Sequence, residues 1–143
     1  MRIRDLKPED YDELIALWEA AGLPHRPRGR DERDRIAREI AGDCSIFLAA
    51  EERGERLAGA VLGTHDGRKG WINRLAVRPE NRGRGIGSAL VAAVEERLRA
   101  MGIEIVTCLI EDWNEESMAF FERIGYVRHP DIVYFSKRRS PET

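Results

Sequence analysis

The stretch Arg82-Gly83-Arg84-Gly85-Ile86-Gly87-Ser88 constrains this chain more than any other. It follows a β-like run over residues 71–78 and opens an amphipathic run that continues to residue 101. A strand, a glycine-rich turn and a helix, in that order, commit the chain to an α/β arrangement. The first N–H groups of such a helix lack internal partners and stand at the positive end of its dipole. Arg82 and Arg84 add charge and forked donors. The segment therefore reads as a cradle for a phosphate or pyrophosphate.

Two common nucleotide patterns fail on named residues. A dinucleotide fingerprint needs Gly-x-Gly-x-x-Gly in a tight strand-to-helix turn. Here Gly83, Gly85 and Gly87 alternate, and Ser88 stands where the third glycine belongs. A Walker loop needs a lysine directly after a glycine and before Ser or Thr, and none follows these glycines.

The rest of the chain reads as one mixed α/β domain over residues 1–143, with a polar tail at 137–143. Residues 3–6 suit a short strand, and Pro8-Glu9-Asp10 suits a helix start. Tyr11, Leu14, Ile15 and Trp18 then share one helical face, which Gly22 and Pro24 end. A second helix is expected over 31–41, with Ile36 and Ile40 inward. Strands are expected over 44–50 and 57–63, joined by a turn at 52–55, and over 71–78 after a turn at 66–70. Ile86, Leu90, Val91, Val94 and Leu98 form the apolar stripe of the next helix, and Gly102 stops it. Residues 103–110 predict a buried strand, 115–123 a short helix carrying Phe121, and 126–128 with 132–136 a final hairpin.

With the nucleotide folds set aside, the glycine segment resembles the signature of the GNAT superfamily of N-acetyltransferases, Arg/Gln-x-x-Gly-x-Gly/Ala. Arg82, Gly85 and Gly87 occupy its fixed positions, between Leu75-Ala76-Val77-Arg78-Pro79 and Ser88-Ala89-Leu90. A second feature follows in the correct order: Asn114, then Phe120-Phe121-Glu122-Arg123-Ile124-Gly125-Tyr126. The chain is most similar to the small stand-alone type that includes ribosomal-protein N-terminal acetyltransferases.

The resemblance implies a GNAT-like fold, a central, mostly antiparallel mixed sheet of about seven strands flanked by four helices. It implies acetyl-CoA as co-substrate, and no metal. The backbone of Leu75, Ala76 and Val77 would pair with the pantetheine arm as an added strand. The N–H groups of Arg82, Gly83, Arg84, Gly85, Ile86, Gly87 and Ser88 would cradle the pyrophosphate. Asn114 would bond the pantetheine, and Phe121 would pack on the cofactor. The strands ending at Val77 and Ile110 would splay apart around the acyl group. Phe121 has no hydroxyl where the family often has a tyrosine proton donor, and Asn73 and Arg74 occupy the strand region that often holds a carboxylate. Glu111, Asp112, Tyr126 and Tyr134 remain as acid–base candidates by residue type, with Glu111 and Asp112 equally readable as a solvated loop. Beside these roles stand plainer ones: Asn114 as a helix N-cap, Phe120, Phe121 and Tyr126 as core, Trp71 and Trp113 as packing, with lining of the acceptor channel the alternative for Trp113.

The implied reaction moves an acetyl group from acetyl-CoA to a primary amine, of a protein N-terminus, a lysine or a small molecule, by direct attack in a ternary complex. The alternative is a non-catalytic acyl-CoA-binding sensor or partner subunit, kept open by Phe121. By family habit the protein is a monomer or a homodimer.

Charge and composition weigh against other classes. Net charge is -2 and hydrophobic residues make up 42%, so neither disorder nor a pull toward nucleic acid or anionic membrane is expected. The N-terminus lacks an apolar signal core, and Cys44 and Cys108 have no CxxC partner. A reduced, cytoplasmic setting is expected, with Cys108 a small buried hydrophobe. His25, His65 and His129 lack metal-ligand spacing and read as surface residues. Residues 24–35 hold five arginines and three acids. They read as a solvated connection; the resemblance implies that the same segment rims the acceptor site, which its arginines would suit to a carboxylate.

Overall fold

The computed structural model describes residues 1–53, 56–141 and 143. They form two units, Met1–Cys108 and Leu109–Thr143. In the first, strands β1 (Arg2–Asp5), β2 (Ser45–Glu52), β3 (Arg56–His65), β4 (Lys69–Val77) and β5 (Ile105–Cys108) make one sheet in chain order. Neighbours from β1 to β4 are antiparallel, and β4 with β5 is parallel. The helices of this unit are α1 (Tyr11–Ala20), α2 (Arg33–Ala41) and α3 (Ile86–Ala100).

The middle of β2 (46–50) and of β3 (57–63) is an unbroken apolar, buried run because both faces of the sheet are covered. Side chains alternate along a strand, so successive residues serve opposite faces. One face, with Phe47, Ala49, Ala60, Leu62 and Ala76, packs on Leu14, Leu17 and Trp18 of α1 and Ile36 of α2. The other seats α3, whose expected stripe is buried at all five positions. Glycines make that seat. A Cβ on Gly59 would lie 3.2 Å from Ile86 and Leu90, one on Gly63 2.9 Å from Val94, and one on Gly70 against Leu98. Arg4 ties β1 to the turn before α1, with Nη1 and Nη2 donating to Asp10 at 2.8 and 3.0 Å. That bond, joined by the Lys7 N–H, holds the Asp10 carboxyl below its ordinary range.

In the second unit, α4 (Glu115–Arg123) starts at Asn114, whose side chain accepts the Ser117 N–H at 3.1 Å. Phe121 is buried and meets Phe120 and Tyr126 edge-on, each at 5.1 Å between centroids. The cap is thus realised; of the three aromatics expected as core, Phe121 is buried while Phe120 and Tyr126 are half-buried against it.

The sheet has five strands, not about seven, among the described residues. The expected hairpin over 126–128 and 132–136 is absent, and Val127, Ile132, Val133, Tyr134 and Phe135 are 62–88% exposed. Alternation gives a segment the capacity to pair, but a strand exists only where another edge meets its N–H and C=O groups. The strand expected over 103–110 shrinks to Ile105–Cys108 and is not buried, with Ile105 51% exposed. β5 is an edge strand, bonded on one side only. Of the expected turn at 52–55, Gly54 and Glu55 lie outside the described residues, as does Glu142 of the tail.

Candidate active site

β5 meets β4 only from Lys69↔Ile105 to Ile72↔Cys108. β4 runs on to Val77, still paired with β3 on its other side. Among the described residues, 73–77 therefore present one bare strand edge, able to bond an extended ligand as a sheet bonds a strand. The β3–β4 register slips here, Gly63 facing Ile72 and Leu62 facing Arg74, with Asn73 the extra residue. Such a bulge bends the strand and re-aims its side chains.

The bare edge leads into the glycine turn. Arg78 is buried, its N–H bonding Ala58 and its Nε donating to the Leu57 carbonyl at 2.8 Å. After a 3-10 turn at Pro79–Asn81, Arg82 Nε donates back to the Val77 carbonyl at 3.3 Å. Gly83 and Gly85 are both left-handed, with φ of 81° and 78°. A Cβ on either would meet nothing within 4 Å, so conformation rather than crowding selects glycine, and the space before them is open. The first α3 bond runs from Ala89 N–H to the Gly85 carbonyl at 3.0 Å. The N–H groups of Ile86, Gly87 and Ser88 precede that ladder, at the positive end of the helix. The first unit thus brings together Leu75, Ala76, Val77 and every residue from Arg82 to Ser88.

The remaining expected residues lie in the second unit. Asn114 spends its carbonyl oxygen on the cap, leaving its amide nitrogen as the other polar group. Phe121 sits in the aromatic trio, and Tyr126 is half-buried beside it. Glu111 is exposed, and Tyr134 is 62% exposed. Trp113, expected to pack, is 72% exposed. Cys108 is half-buried, and burial pushes its thiol up to about 11, which makes it a weak nucleophile at neutral pH. Among the described residues no group of three His, Cys, Asp or Glu is placed to hold a metal ion. No helix among them is long and apolar enough to cross a membrane.

A polar cluster that the sequence reading passed over lies where α1, the α1–α2 connection and β4 meet. Asp31 is 3% exposed and closes the connection on itself, its Oδ2 accepting the Arg26 N–H at 2.6 Å. The same oxygen accepts Arg74 Nη2 at 3.0 Å, and the Asp31 carbonyl accepts the Tyr11 hydroxyl at 2.6 Å. Arg74 stacks over Trp18, its Cζ 4.5 Å from the ring centroid. Burial lowers the guanidinium pKa, Asp31 opposes that, and Arg30 and Arg26 add to the lowering. One signal was in the sequence: Arg74 stands two residues before the apolar Ala76, whose side of the strand it shares.

A family model for the acetyltransferase (GNAT) family matches residues 9–126. The chain belongs to that family. Solved structures agree with the fold. The PaiA N-acetyltransferase of Thermoplasma acidophilum, determined in complex with coenzyme A, is 21% identical with a TM-score of 0.78, over 87% of each chain. An aminoglycoside acetyltransferase from an uncultured soil metagenomic sample is 26% identical with a TM-score of 0.76, over 97% of this chain and 98% of that one. The ribosomal-protein-alanine N-acetyltransferase of Brucella melitensis is 18% identical with a TM-score of 0.73, over 96% of this chain and 99% of that one. In this GNAT chain, then, a bare strand edge runs into a glycine turn at a helix N-terminus.

Proposed function

We propose that the protein transfers an acetyl group from acetyl-CoA to a primary amine by direct attack in a ternary complex. The observation that carries this reading is the continuity of the β4 edge, free after Ile72, with the left-handed turn at Gly83 and Gly85. An extended amide-bearing arm suits the first, and a diphosphate suits the second. Leu75, Ala76 and Val77 would bond the pantetheine, and Arg82 to Ser88 the pyrophosphate. Asn114 and Phe121 would contribute an amide and an aromatic surface to the same cofactor.

The thioester arrives already activated, so the protein's task is mainly alignment. A β4 N–H near Val77 would donate to the oxygen where charge develops. Proton removal from the amine and proton delivery to the sulfur are assigned among Glu111, Tyr126, Tyr134 and water. A relative acts on aminoglycosides by its name and another on ribosomal-protein alanine, which is why a small-molecule amine and a protein N-terminus both stay in the proposal.

Calorimetry with acetyl-CoA, followed by thiol release over a panel of amines, tests the reading. Micromolar binding and amine-dependent thiol release are expected. Binding without release on any amine would favour the alternative, an acyl-CoA sensor or partner subunit, to which the missing hydroxyl at Phe121 points. No binding would overturn the proposal.

A further inference from the structure

In the Arg74–Trp18 stack two buried hydrogen-bond donors find no acceptor among the described residues. Trp18 is 0% exposed and its Nε1 has no partner among the described residues; Arg74 Nη1 is likewise closed off and unpartnered among them. The Arg74 side chain as a whole is 11% exposed. Indole and guanidinium nitrogens only donate, so the missing group is an acceptor. With the Arg74 Cζ 4.5 Å from the Trp18 ring centroid, both donors belong to one stack.

The charge around them is also unbalanced. Asp31 is the carboxylate bonded to Arg74, and its Oδ2 already takes the Arg26 N–H, with Arg30 Nε at 3.8 Å. Arg30 and Arg26 both act on Arg74 as like charges. A single water would satisfy the donors and leave the positive excess; an anionic oxygen answers both needs.

The place fits an acceptor. Arg74 is two residues beyond the last β4–β5 pair and three before Val77, about 10 Å along the strand at its usual rise. On the acetyl-transfer reading, on which this inference rests, the acyl group lies beside that stretch of edge. We propose that Trp18 Nε1 and Arg74 Nη1 take a carboxylate of the acceptor, so that the protein prefers amines that also carry a carboxylate. Neither residue makes or breaks a bond; both position the substrate, and Asp31 holds Arg74 in place.

The test uses the whole chain with acetyl-CoA and a set of amino acids and dipeptides, each paired with its C-terminal carboxamide. Wild type is expected to favour the carboxylates by about 10–100-fold in kcat/KM, mostly through KM, the range of a hydrogen bond to a charged group. Arg74→Met and Trp18→Phe each remove one donor while leaving an apolar body in its place, and are expected to bring that ratio close to one, with acetyl-CoA affinity unchanged. Arg74→Lys should restore part of the preference. Calorimetric titration of the same carboxylates onto the protein loaded with CoA reads the subsite even without turnover. Equal values for carboxylate and carboxamide in wild type, or a preference that survives both substitutions, would overturn the proposal. Failure of wild type to bind acetyl-CoA would instead strike the acetyl-transfer reading. In that case the carboxylates are titrated onto the protein without CoA, and binding that is lost in Arg74→Met would still uphold the subsite.

Discussion

Gly85→Glu is expected to abolish acetyl-CoA binding in calorimetry, a loss of at least ~100-fold or about 2.7 kcal/mol, while the fold survives. Two effects add. Gly85 sits at φ 78°, where a side chain costs about 1–2 kcal/mol. The new carboxylate would also stand at the α3 N-terminus, in the space proposed for the pyrophosphate, and repel it. No packed atom lies within 4 Å of the new Cβ, so the melting temperature should fall by only about 2–8 °C. Gly85→Ala separates the two effects: it carries the strain without the charge and should keep binding within about 10-fold. Near wild-type affinity in Gly85→Glu would mean that the turn does not face phosphate.

The second large effect is on stability. Gly59→Val is expected to lower the unfolding free energy by about 3 kcal/mol or more, read as a shift of about 10 °C in calorimetry. A Cβ there would lie 2.9 Å from the Ala76 carbonyl oxygen and 3.2 Å from the side chains of Ile86 and Leu90. Backbone cannot yield as a side-chain tip can, so β3 and β4 must part or α3 must lift. At Gly70 the nearest atoms are the methyls of Leu98, which can rotate away, and Gly70→Ala should cost less. The valine variant should also bind acetyl-CoA more weakly, because Ile86 opens the proposed phosphate turn. A melting temperature within 2 °C of wild type would show that α3 does not depend on this seat.

The sequence made the α3 side of the site legible because its signals are local. The stripe from Ile86 to Leu98 repeats every helical turn, and all five residues are buried as that period requires. In α1 the same reasoning found Leu14 and Trp18 but passed over Leu17, which is fully buried. The glycine turn was legible because left-handed backbone leaves few residue choices. What period cannot carry is partnership. Gly63 read as the end of a strand and Gly70 as part of a turn, yet both are places where a helix side chain comes to rest. Ile132 to Phe135 has strand composition, and nothing in it says whether an edge will meet it. The Trp18–Asp31–Arg74 cluster joins residues 43 apart across its ion pair, and no local pattern announces such a meeting.

The order of the sheet also says when the parts come together. β2, β3 and β4 are consecutive and antiparallel, so each pairing closes a short loop, whereas β5 reaches β4 only after the whole of α3 has been laid down. Short closures lose little chain entropy and long ones more, so the meander is the early event and the α3 crossover the late one. The glycine turn belongs to the crossover. A ligand that bonds the finished turn then finds little to hold in the folding transition state. Acetyl-CoA should therefore retard unfolding in stopped-flow measurements and leave the refolding limb of the chevron where it was.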